Sequence, residues 1–385
     1  MSSTTARSST AMNGDQPPRK KMTKQSPEIS ILSLPYDLLL NIIARVSRLY
    51  YPTLSLVSKT FRSVVASTDL YESRSLSHRT ENCLYMCIRY SHRRFPRNTD
   101  RYWFALCRKP NRTTTDGSSG HLFIPLTSPQ LRPARSTSLV AVGSNIYRIG
   151  GHMPSSSRVS VLDCRLNTWR SGPRMREKRM SPAASVVDGK IYVAGGGCED
   201  PRSVDWVEVF DPKTCTWGNV TNPGTDTRPG ASVTTFGIEG KLYLLGYDEE
   251  VVYDPKEGSW KPIGVGVDMA FAGHFDYGVI GDVMFLWNDR EFSCFDSKAW
   301  SWKKLRGVED LPDFHGYCKM VDHGGKMVLL WDDYLRSEHV AWCAEIALEM
   351  RDGDEMWGIV QWLDVVLSLN EPFRMFDAVV LSATL

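Results

Sequence analysis

The stretch VEVFDPKTCTW (207–217) places Asp211 six residues before Trp217, and the same spacing recurs in three further segments. The segments VLDCRLNTW, VYDPKEGSW and CFDSKAWSW contain the pairs Asp163 and Trp169, Asp254 and Trp260, and Asp296 and Trp302. Successive tryptophans are 48, 43 and 42 residues apart, a period that is typical of solenoids and propellers. Because the pair recurs at one spacing, we interpret it as a structural repeat rather than as a catalytic acid beside an aromatic platform.

Each repeat unit also predicts β-strands before its Asp-to-Trp segment. In the first unit the alternating runs SLVAV and IYRIGG flank the turn GSN, and the second unit has ASVV and IYVAGG around DGK. Alternating Val, Ile and Tyr bounded by Gly, Asp and Asn are typical of β-hairpins. We therefore predict a four-stranded meander per unit, in which the Asp caps the turn before the fourth strand and the Trp covers the gap between neighbouring sheets.

Two glycine pairs follow the second predicted strands of the first two units: Gly150 with Gly151, and Gly195 with Gly196. With the closing Trp they resemble kelch repeats, and this resemblance implies a β-propeller with units at 137–181, 182–228, 229–273, 274–314 and 315–363. Further strand-like segments lie outside these units, at 101–108, 121–127 and 376–385. Kelch propellers commonly close by building one blade from both chain ends. We therefore expect six blades, the sixth composite, with five blades as the alternative.

A helical pattern replaces the strand pattern between residues 31 and 78. Apolar side chains recur at helical spacing in LPYDLLLNIIARV (34–46) and LSLVSKTFRSVV (54–65). These stretches resemble an F-box, although Tyr36 stands where that family usually has an acidic residue. The resemblance implies that the motif binds a Skp-type adaptor through Leu34, Pro35, Leu38, Leu39, Ile42, Ile43, Leu56, Val57, Lys59, Phe61 and Arg62. Packing of these side chains within the small domain itself is the alternative.

The order of the two patterns resembles the plant F-box/kelch-repeat family over residues 31–385. The expected fold class is α+β multidomain, with a small all-α F-box domain at 30–78 followed by an all-β kelch β-propeller at 101–385. The segment 79–100 is interpreted as a linker. The segment 1–29 is rich in Ser, Thr and Pro and nearly free of large apolar side chains, so we predict a disordered tail there.

The resemblance implies a function as the substrate-recognition adaptor of an SCF-type E3 ubiquitin ligase, a non-catalytic subunit without a cofactor. The F-box would bind the Skp-type adaptor and through it a cullin, and the propeller would bind a target protein for ubiquitination and proteasomal degradation. A kelch scaffold without a ligase role and a metal-dependent kelch enzyme are the alternatives. No metal site is indicated, because the histidines near the blades lack the close spacing of ligands: His152, His274, His315 and His323.

The composition argues against several other classes of protein. A formal net charge of +2 does not favour a nucleic-acid partner. The nine cysteines include no C-x-x-C pair, which indicates reduced thiols rather than a disulfide framework or a zinc site. No apolar stretch is long enough to span a membrane, so we expect a cytoplasmic or nuclear protein. The basic run at 19–24 is interpreted as tail charge, with a nuclear signal as the alternative.

Loop lengths predict which rim of the propeller binds a target. The turns between first and second strands and between third and fourth strands are short and uniform, and both kinds lie on one rim. The connections on the opposite rim vary in length and chemistry, as recognition loops do. They carry arginines suited to carboxylate or phosphate groups: Arg158, Arg174, Arg176, Arg179, Arg202 and Arg228. The alternative is that these arginines pair with Glu199, Asp200 and Asp226 of the same loops.

Overall fold

A computed structural model describes most of the chain from residue 31 onward. The described residues are 31, 34–89, 101–109, 119–126, 138–151, 154–196, 206–221, 233–246, 250–263, 276–288, 291–297, 299, 301–314, 317–335, 338–351, 355–370, 372–375 and 378–385. The predicted disordered tail at 1–29 lies outside them.

Four short α-helices form the described N-terminal part. They are α1 (Tyr36–Ala44), α2 (Tyr51–Val57), α3 (Lys59–Val65) and α4 (Thr68–Leu76), with a 3₁₀ turn at Arg48–Tyr50. Serines precede α3 and α4, and their hydroxyls accept hydrogen bonds from the backbone N–H of Phe61 (3.1 Å) and Leu70 (3.4 Å). These N–H groups have no acceptor within their own helix, so the two serines fix where the helices begin.

The helices bury one apolar side of each element. Leu39, Ile43, Phe61, Val64 and Leu70 are all 5% exposed or less, and burial of each such side chain contributes about 1.5–3 kcal/mol. The same cluster of buried residues continues into the first strands of the β-domain. A helical segment this short has too little core of its own, so its stability depends on this shared packing.

The described β-domain consists of six four-stranded antiparallel sheets, which we call blades. Blade 1 contains β4 (Leu139–Val142), β5 (Asn145–Ile149), β6 (Val159–Asp163) and β7 (Thr168–Ser171). Blade 2 contains β8 (Ala183–Val187), β9 (Lys190–Ala194), β10 (Val207–Asp211) and β11 (Thr216–Asn219). Blade 3 contains β12 (Thr234–Ile238), β13 (Lys241–Leu245), β14 (Glu250–Asp254) and β15 (Ser259–Pro262). In each of these blades the four strands pair in the order in which they follow along the chain, as predicted.

Blade 4 repeats this pattern, whereas blade 5 has longer strands and blade 6 combines strands from distant parts of the chain. Blade 4 contains β16 (Asp276–Ile280), β17 (Val283–Trp287), β18 (Phe292–Asp296) and β19 (Ser301–Lys304). Blade 5 contains β20 (Cys318–Asp322) and three longer strands, β21 (Met327–Leu335), β22 (Glu338–Arg351) and β23 (Glu355–Leu369). Blade 6 contains β1 (Asn82–Arg89), β2 (Arg101–Arg108), β3 (His121–Pro125) and β24 (Val379–Thr384), in the order β24-β1-β2-β3.

Blade 6 joins segments from the two ends of the β-domain. The strands β1 and β24 pair antiparallel from Asn82 with Thr384 to Cys87 with Val379. Just beyond the pair, the backbone groups of Glu81 and Leu385 exchange two hydrogen bonds of 2.7 and 2.8 Å. The prediction of six blades with a composite sixth is therefore confirmed.

The interpretation of 79–100 as a linker is wrong for its first part. Residues 82–89 form β1, which lies between β24 and β2 in the interior of the blade 6 sheet. The side chains of Leu84, Tyr85 and Met86 are 1% exposed or less. The propeller therefore begins at Asn82, and the predicted boundary at 101 corresponds to the second strand of the blade.

The repeated Asp caps the turn between third and fourth strands, as predicted. Asp211 accepts a hydrogen bond from the backbone N–H of Lys213 (2.9 Å), and Asp254 accepts one from Lys256 (2.9 Å). These bonds favour the charged form and lower the pKa of both carboxyls. Arg165 and Ala299 donate in the same way to the Asp residues of blades 1 and 4.

The repeated Trp joins its blade to the preceding one. The indole N–H of Trp217 in blade 2 donates to the carbonyl of Pro173, which follows blade 1 (3.1 Å). In blade 3 Trp260 donates to the carbonyl of Thr221 in the same way. In blade 1 Trp169 lies edge-on against Trp103 of blade 6, with ring centroids 6.0 Å apart. The repeat is therefore architectural.

The glycine pairs allow one proline to pack between blades 1 and 2. Gly150 and Gly196 have φ of +77° and +84°, a region that L side chains rarely adopt. A Cβ at either position would also lie 2.9 Å from an atom of Pro182. Both the positive φ and the close approach therefore require glycine at these two positions.

Candidate functional site

The helical domain leaves large apolar side chains in solvent. Leu38 and Ile42 lie one turn apart on α1 and are 52% and 41% exposed, and Leu56 and Val57 at the end of α2 are 77% and 62% exposed. Single exposed apolar residues are common on protein surfaces, but groups of them mark sites of association. These four residues, which we call the helical apolar surface, are all among those predicted to contact an adaptor.

The other residues predicted from the F-box resemblance divide into two groups. Leu39, Ile43 and Phe61 are at most 5% exposed and belong to the core, so they cannot contact a partner directly. For these three the alternative of packing within the domain is the one that the structure supports. Pro35, Lys59 and Arg62 are exposed and Leu34 is half-buried, as a binding role would require.

The helical domain is attached to the propeller through Arg48. Its guanidinium donates to the hydroxyl of Tyr85 on β1 (2.9 Å) and to the carbonyl of Cys164 in blade 1 (2.7 Å). Its backbone N–H donates to the Glu81 carboxylate (2.8 Å), which also pairs with Arg74 of α4 (3.0 Å). Burial raises the pKa of Tyr85 well above its usual value, so the phenol stays neutral beside the guanidinium.

Sequence reasoning missed this junction because its partners are distant along the chain. Arg48 and Cys164 are 116 residues apart, and Arg48 and Glu81 are 33 residues apart. No motif or spacing in a single sequence links these positions. The one available signal is the position of Arg48 at the start of the 3₁₀ turn, between two stretches with helical periodicity.

The junction also defines the rim on which the helices lie. Cys164 belongs to the turn between β6 and β7, and Glu81 directly precedes β1. In blade 6 the strand β1 is the second strand. The turns between third and fourth strands and the starts of second strands lie on the same rim, that of the short turns. Cys164 and Glu81 are therefore both on this rim. The helical domain is therefore at the opposite end of the propeller from the long connections.

Three of the predicted target-binding arginines are exposed on the rim of the long connections. Arg158 precedes β6, and Arg174 and Arg176 lie between β7 and β8. The Arg176 guanidinium donates to the Asn219 side chain at the end of β11, and its backbone N–H donates to Glu208 (2.8 Å). These contacts hold the backbone at Arg176 while the side chain stays in solvent.

The prediction of Arg179 as a target-binding residue is wrong. Its side chain and that of Glu208 are both 0% exposed, and the two form an ion pair of 3.0 Å. The guanidinium also donates to the carbonyls of Gly195 (2.8 Å) and Trp206 (3.1 Å). Arg179 therefore holds the connection between blades 1 and 2 against blade 2.

Several predicted residues lie outside the described part of the chain. They are Arg202 and Arg228, the acidic residues Glu199, Asp200 and Asp226, and the histidines His152, His274 and His315. Among the described residues, no three His, Cys, Asp or Glu side chains come together as metal ligands would. None of the described helices is long and apolar enough to cross a membrane.

Comparisons with known proteins agree with both parts of the fold. Residues 31–73 match the family model of the F-box domain, and residues 103–367 match that of the FKB95 Kelch-repeats domain. F-box/kelch-repeat protein At4g39590 of Arabidopsis thaliana is 48% identical, with 99% of each chain covered. F-box/kelch-repeat protein At4g39580 of the same plant is 44% identical, over 97% of this chain and 100% of the relative.

The match therefore extends over nearly the whole length of both relatives and includes the helices and the blades together. The two family models match the helical domain and the propeller in the order in which they follow along the chain. The chain belongs to the F-box/kelch-repeat protein family.

Proposed function

We propose that the chain is the substrate-recognition subunit of an SCF-type E3 ubiquitin ligase. The helical apolar surface binds a Skp-type adaptor and through it a cullin, and the rim of the long connections binds a target protein. The observation that carries this proposal is the position of the two exposed surfaces at opposite ends of one structure, joined by the buried contacts of Arg48. Family membership supports the adaptor as the partner of the helices.

The adaptor contact combines apolar and basic side chains. Leu38, Ile42, Leu56 and Val57 provide the apolar area. Lys59 begins α3 two residues after Val57, and Arg62 lies in the last turn of that helix. An apolar centre with a polar rim is the usual arrangement of a protein–protein interface. The buried Leu39, Ile43 and Phe61 contribute indirectly, because they set the positions of the exposed residues.

In this role the chain makes and breaks no covalent bond. Its contribution is to hold a lysine of the target close to the ubiquitin-loaded enzyme, which raises the effective concentration of the reacting groups. Because the helices are fixed to the propeller through Arg48 and Glu81, a target on the opposite rim keeps a constant position relative to the adaptor.

The exposed arginines favour an acidic or phosphorylated target segment. Arg158, Arg174 and Arg176 occupy neighbouring connections of blades 1 and 2 and present guanidinium groups to solvent. Guanidinium binds carboxylate and phosphate in a bidentate geometry, which gives orientation as well as affinity.

A cytoplasmic or nuclear location fits the state of the thiols. The eight cysteines that the structure describes are all free of disulfides, as is usual in reducing compartments.

Replacing Leu38 and Ile42 together by Asp tests the proposal. Each change puts a charge into an apolar contact without touching the core, so adaptor binding is expected to weaken by on the order of a hundredfold or more. Co-purification of the full chain with a Skp-type adaptor and cullin measures the loss, while target capture stays unchanged.

The matched control is Leu76→Asp, because Leu76 is an 84% exposed leucine of α4 outside the proposed surface. Undiminished adaptor binding by the double variant would contradict the proposed contact. Adaptor binding without ubiquitination of any captured target would favour a scaffold instead.

A further inference from the structure

A cavity on the rim of the long connections has a chemistry unlike that of the exposed arginines. It has a volume of about 410 Å³ and lies at the end of blade 4. Trp287 at the end of β17 and Glu291 and Phe292 at the start of β18 form one side, and the connection from β19 to β20 forms the other. Both segments join strands at the rim that the proposed function assigns to the target.

Stacked aromatic rings form the floor of the cavity. The rings of Trp287 and Phe314 line the cavity with centroids 4.6 Å apart, and Phe314 stacks in turn at 4.8 Å on Trp331, which is 1% exposed and lies outside the lining. Phe292 packs against Trp287 at 4.5 Å. The floor is thus a rigid apolar surface, which suits a ligand that has an apolar side chain of its own.

The wall between β19 and β20 is held in place by backbone contacts with blade 5. The N–H of Arg306 donates to the carbonyl of Met356 (3.0 Å), and the N–H of Gly358 donates to the carbonyl of Arg306 (2.8 Å). Gly307 has φ +75°, and a Cβ there would lie 2.5 Å from the carbonyl oxygen of Gly358. The start of this connection is therefore held against blade 5 by the fold itself.

The mouth of the cavity carries excess negative charge. Glu291 forms an ion pair with Lys304 (3.3 Å). The exposed carboxylates of Glu309 and Asp313 have no ion pair with any residue that the structure describes. The four charged residues that line the cavity thus have a net charge of −2.

We propose that this cavity binds a segment of the target protein in which a large apolar side chain lies next to a lysine or arginine. The apolar group covers the aromatic floor, and the basic group pairs with Glu309 and Asp313 at the mouth. A long basic side chain can also lay its methylene groups on the aromatic rings. The segment is taken as part of the target, so the inference rests on the proposed function.

The position of the cavity implies a target with two contact segments. The exposed arginines are in blades 1 and 2, and the cavity is between blades 4 and 5, which lies across the ring in a six-bladed propeller. One segment would be acidic or phosphorylated and the other basic and apolar. Two separate weak contacts of opposite charge fix the orientation of a target better than one.

Selection of random peptides displayed on phage against the full-length chain tests the inference. Enriched peptides are expected to combine a large apolar residue with Lys or Arg. Their affinity, measured by fluorescence anisotropy, should fall about five- to tenfold with the isosteric pair Glu309→Gln and Asp313→Asn, since two exposed ion pairs are lost. Replacing the apolar residue of the peptide by Ser should also weaken binding.

The control variant is Asp310→Asn, an exposed acidic residue in the same connection that does not line the cavity. Thermal denaturation establishes that all variants are folded. Acidic peptides are expected as well, because the exposed arginines of blades 1 and 2 would bind them. The proposal is overturned if no peptide that combines a large apolar residue with Lys or Arg is enriched, or if such peptides bind the variant at Glu309 and Asp313 as tightly as the wild type. No adaptor or ubiquitin takes part in the assay, so a failure of the ligase role would leave its result unchanged.

Discussion

Arg176 and Arg179 are three residues apart in one connection, yet the fold places them in opposite environments. Arg179 is enclosed with Glu208, and its remaining donors are used by backbone carbonyls. Arg176 extends from the same rim, and only its tip contacts Asn219. The difference arises because the side chain of Arg179 reaches the Glu208 carboxylate of β10, whereas at Arg176 only the backbone N–H does.

Replacing Arg179 by Met is therefore expected to destabilise the protein, whereas replacing Arg174 and Arg176 by Ala is not. The first change leaves Glu208 buried without its partner, at a cost of about 3–5 kcal/mol in the free energy of unfolding. Replacing Arg174 and Arg176 by Ala should change the free energy of unfolding by about 0.5 kcal/mol or less but should reduce target capture. Denaturant unfolding and pull-down of the target measure the two effects. Equal stability of the Arg179 variant and the wild type would contradict the assigned role.

Among the elements, the turn between β20 and β21 contacts the strand that closes the ring. His323 in this turn is hydrogen-bonded through its Nδ1 to the hydroxyl of Ser382 on β24 (3.0 Å). Burial lowers the pKa of His323 below its usual 6.5, and Lys326 acts in the same direction. The carboxylates of Asp322 and Glu345 oppose this shift.

His323 is thus expected to make the stability of the closed ring depend on pH. His323 binds a proton more readily in the unfolded chain than in the folded one. The stability that the neutral His323 contributes is therefore present above about pH 6.5 and is lost as the pH falls. In His323→Gln the loss of stability between about pH 7.5 and pH 5.5 should be smaller, by up to about 1.4 kcal/mol per pH unit. Thermal denaturation at both pH values measures it, and identical pH dependence of variant and wild type would refute the expectation.

Which elements were predictable depended on how local their signal was. The strands around Asp211 and Trp217 were predicted because alternation, turn residues and the repeat period all lie within one unit. The strand β1 was missed, since NCLYMCIR (82–89) lacks the repeat spacing and pairs with a strand at the other end of the β-domain. The role of Arg179 was misjudged for a similar reason, because Glu208 is 29 residues away.

At the scale of the whole molecule, Arg48 adds hydrogen bonds to the shared apolar packing that joins the helices to the propeller. Its side chain is the donor in both hydrogen bonds described between the 3₁₀ turn and the blades. A methionine would fill similar space without either bond, while Tyr85 would still donate to Cys164 (3.2 Å).

We expect Arg48→Met to lower the stability of the junction by about 1.5–3 kcal/mol, the usual range for hydrogen bonds from a charged group. The helical domain should then unfold in a transition separate from that of the propeller, which calorimetry would detect. Adaptor binding and target capture should persist, but ubiquitination of a captured target should slow because its lysines no longer hold one position. A single transition with unchanged ubiquitination would exclude this role.

The pairing of β1 with β24 has a consequence for the synthesis of the chain. Asn82 and Thr384, which pair in register, are 302 residues apart. At roughly 5–20 residues per second, a ribosome needs roughly 15–60 s to supply the partner of β1. During this time the apolar edge of β1 is unpaired, and such an edge is prone to join other chains. This edge of β1 is therefore covered only when the last strand of the chain has been made and the ring closes.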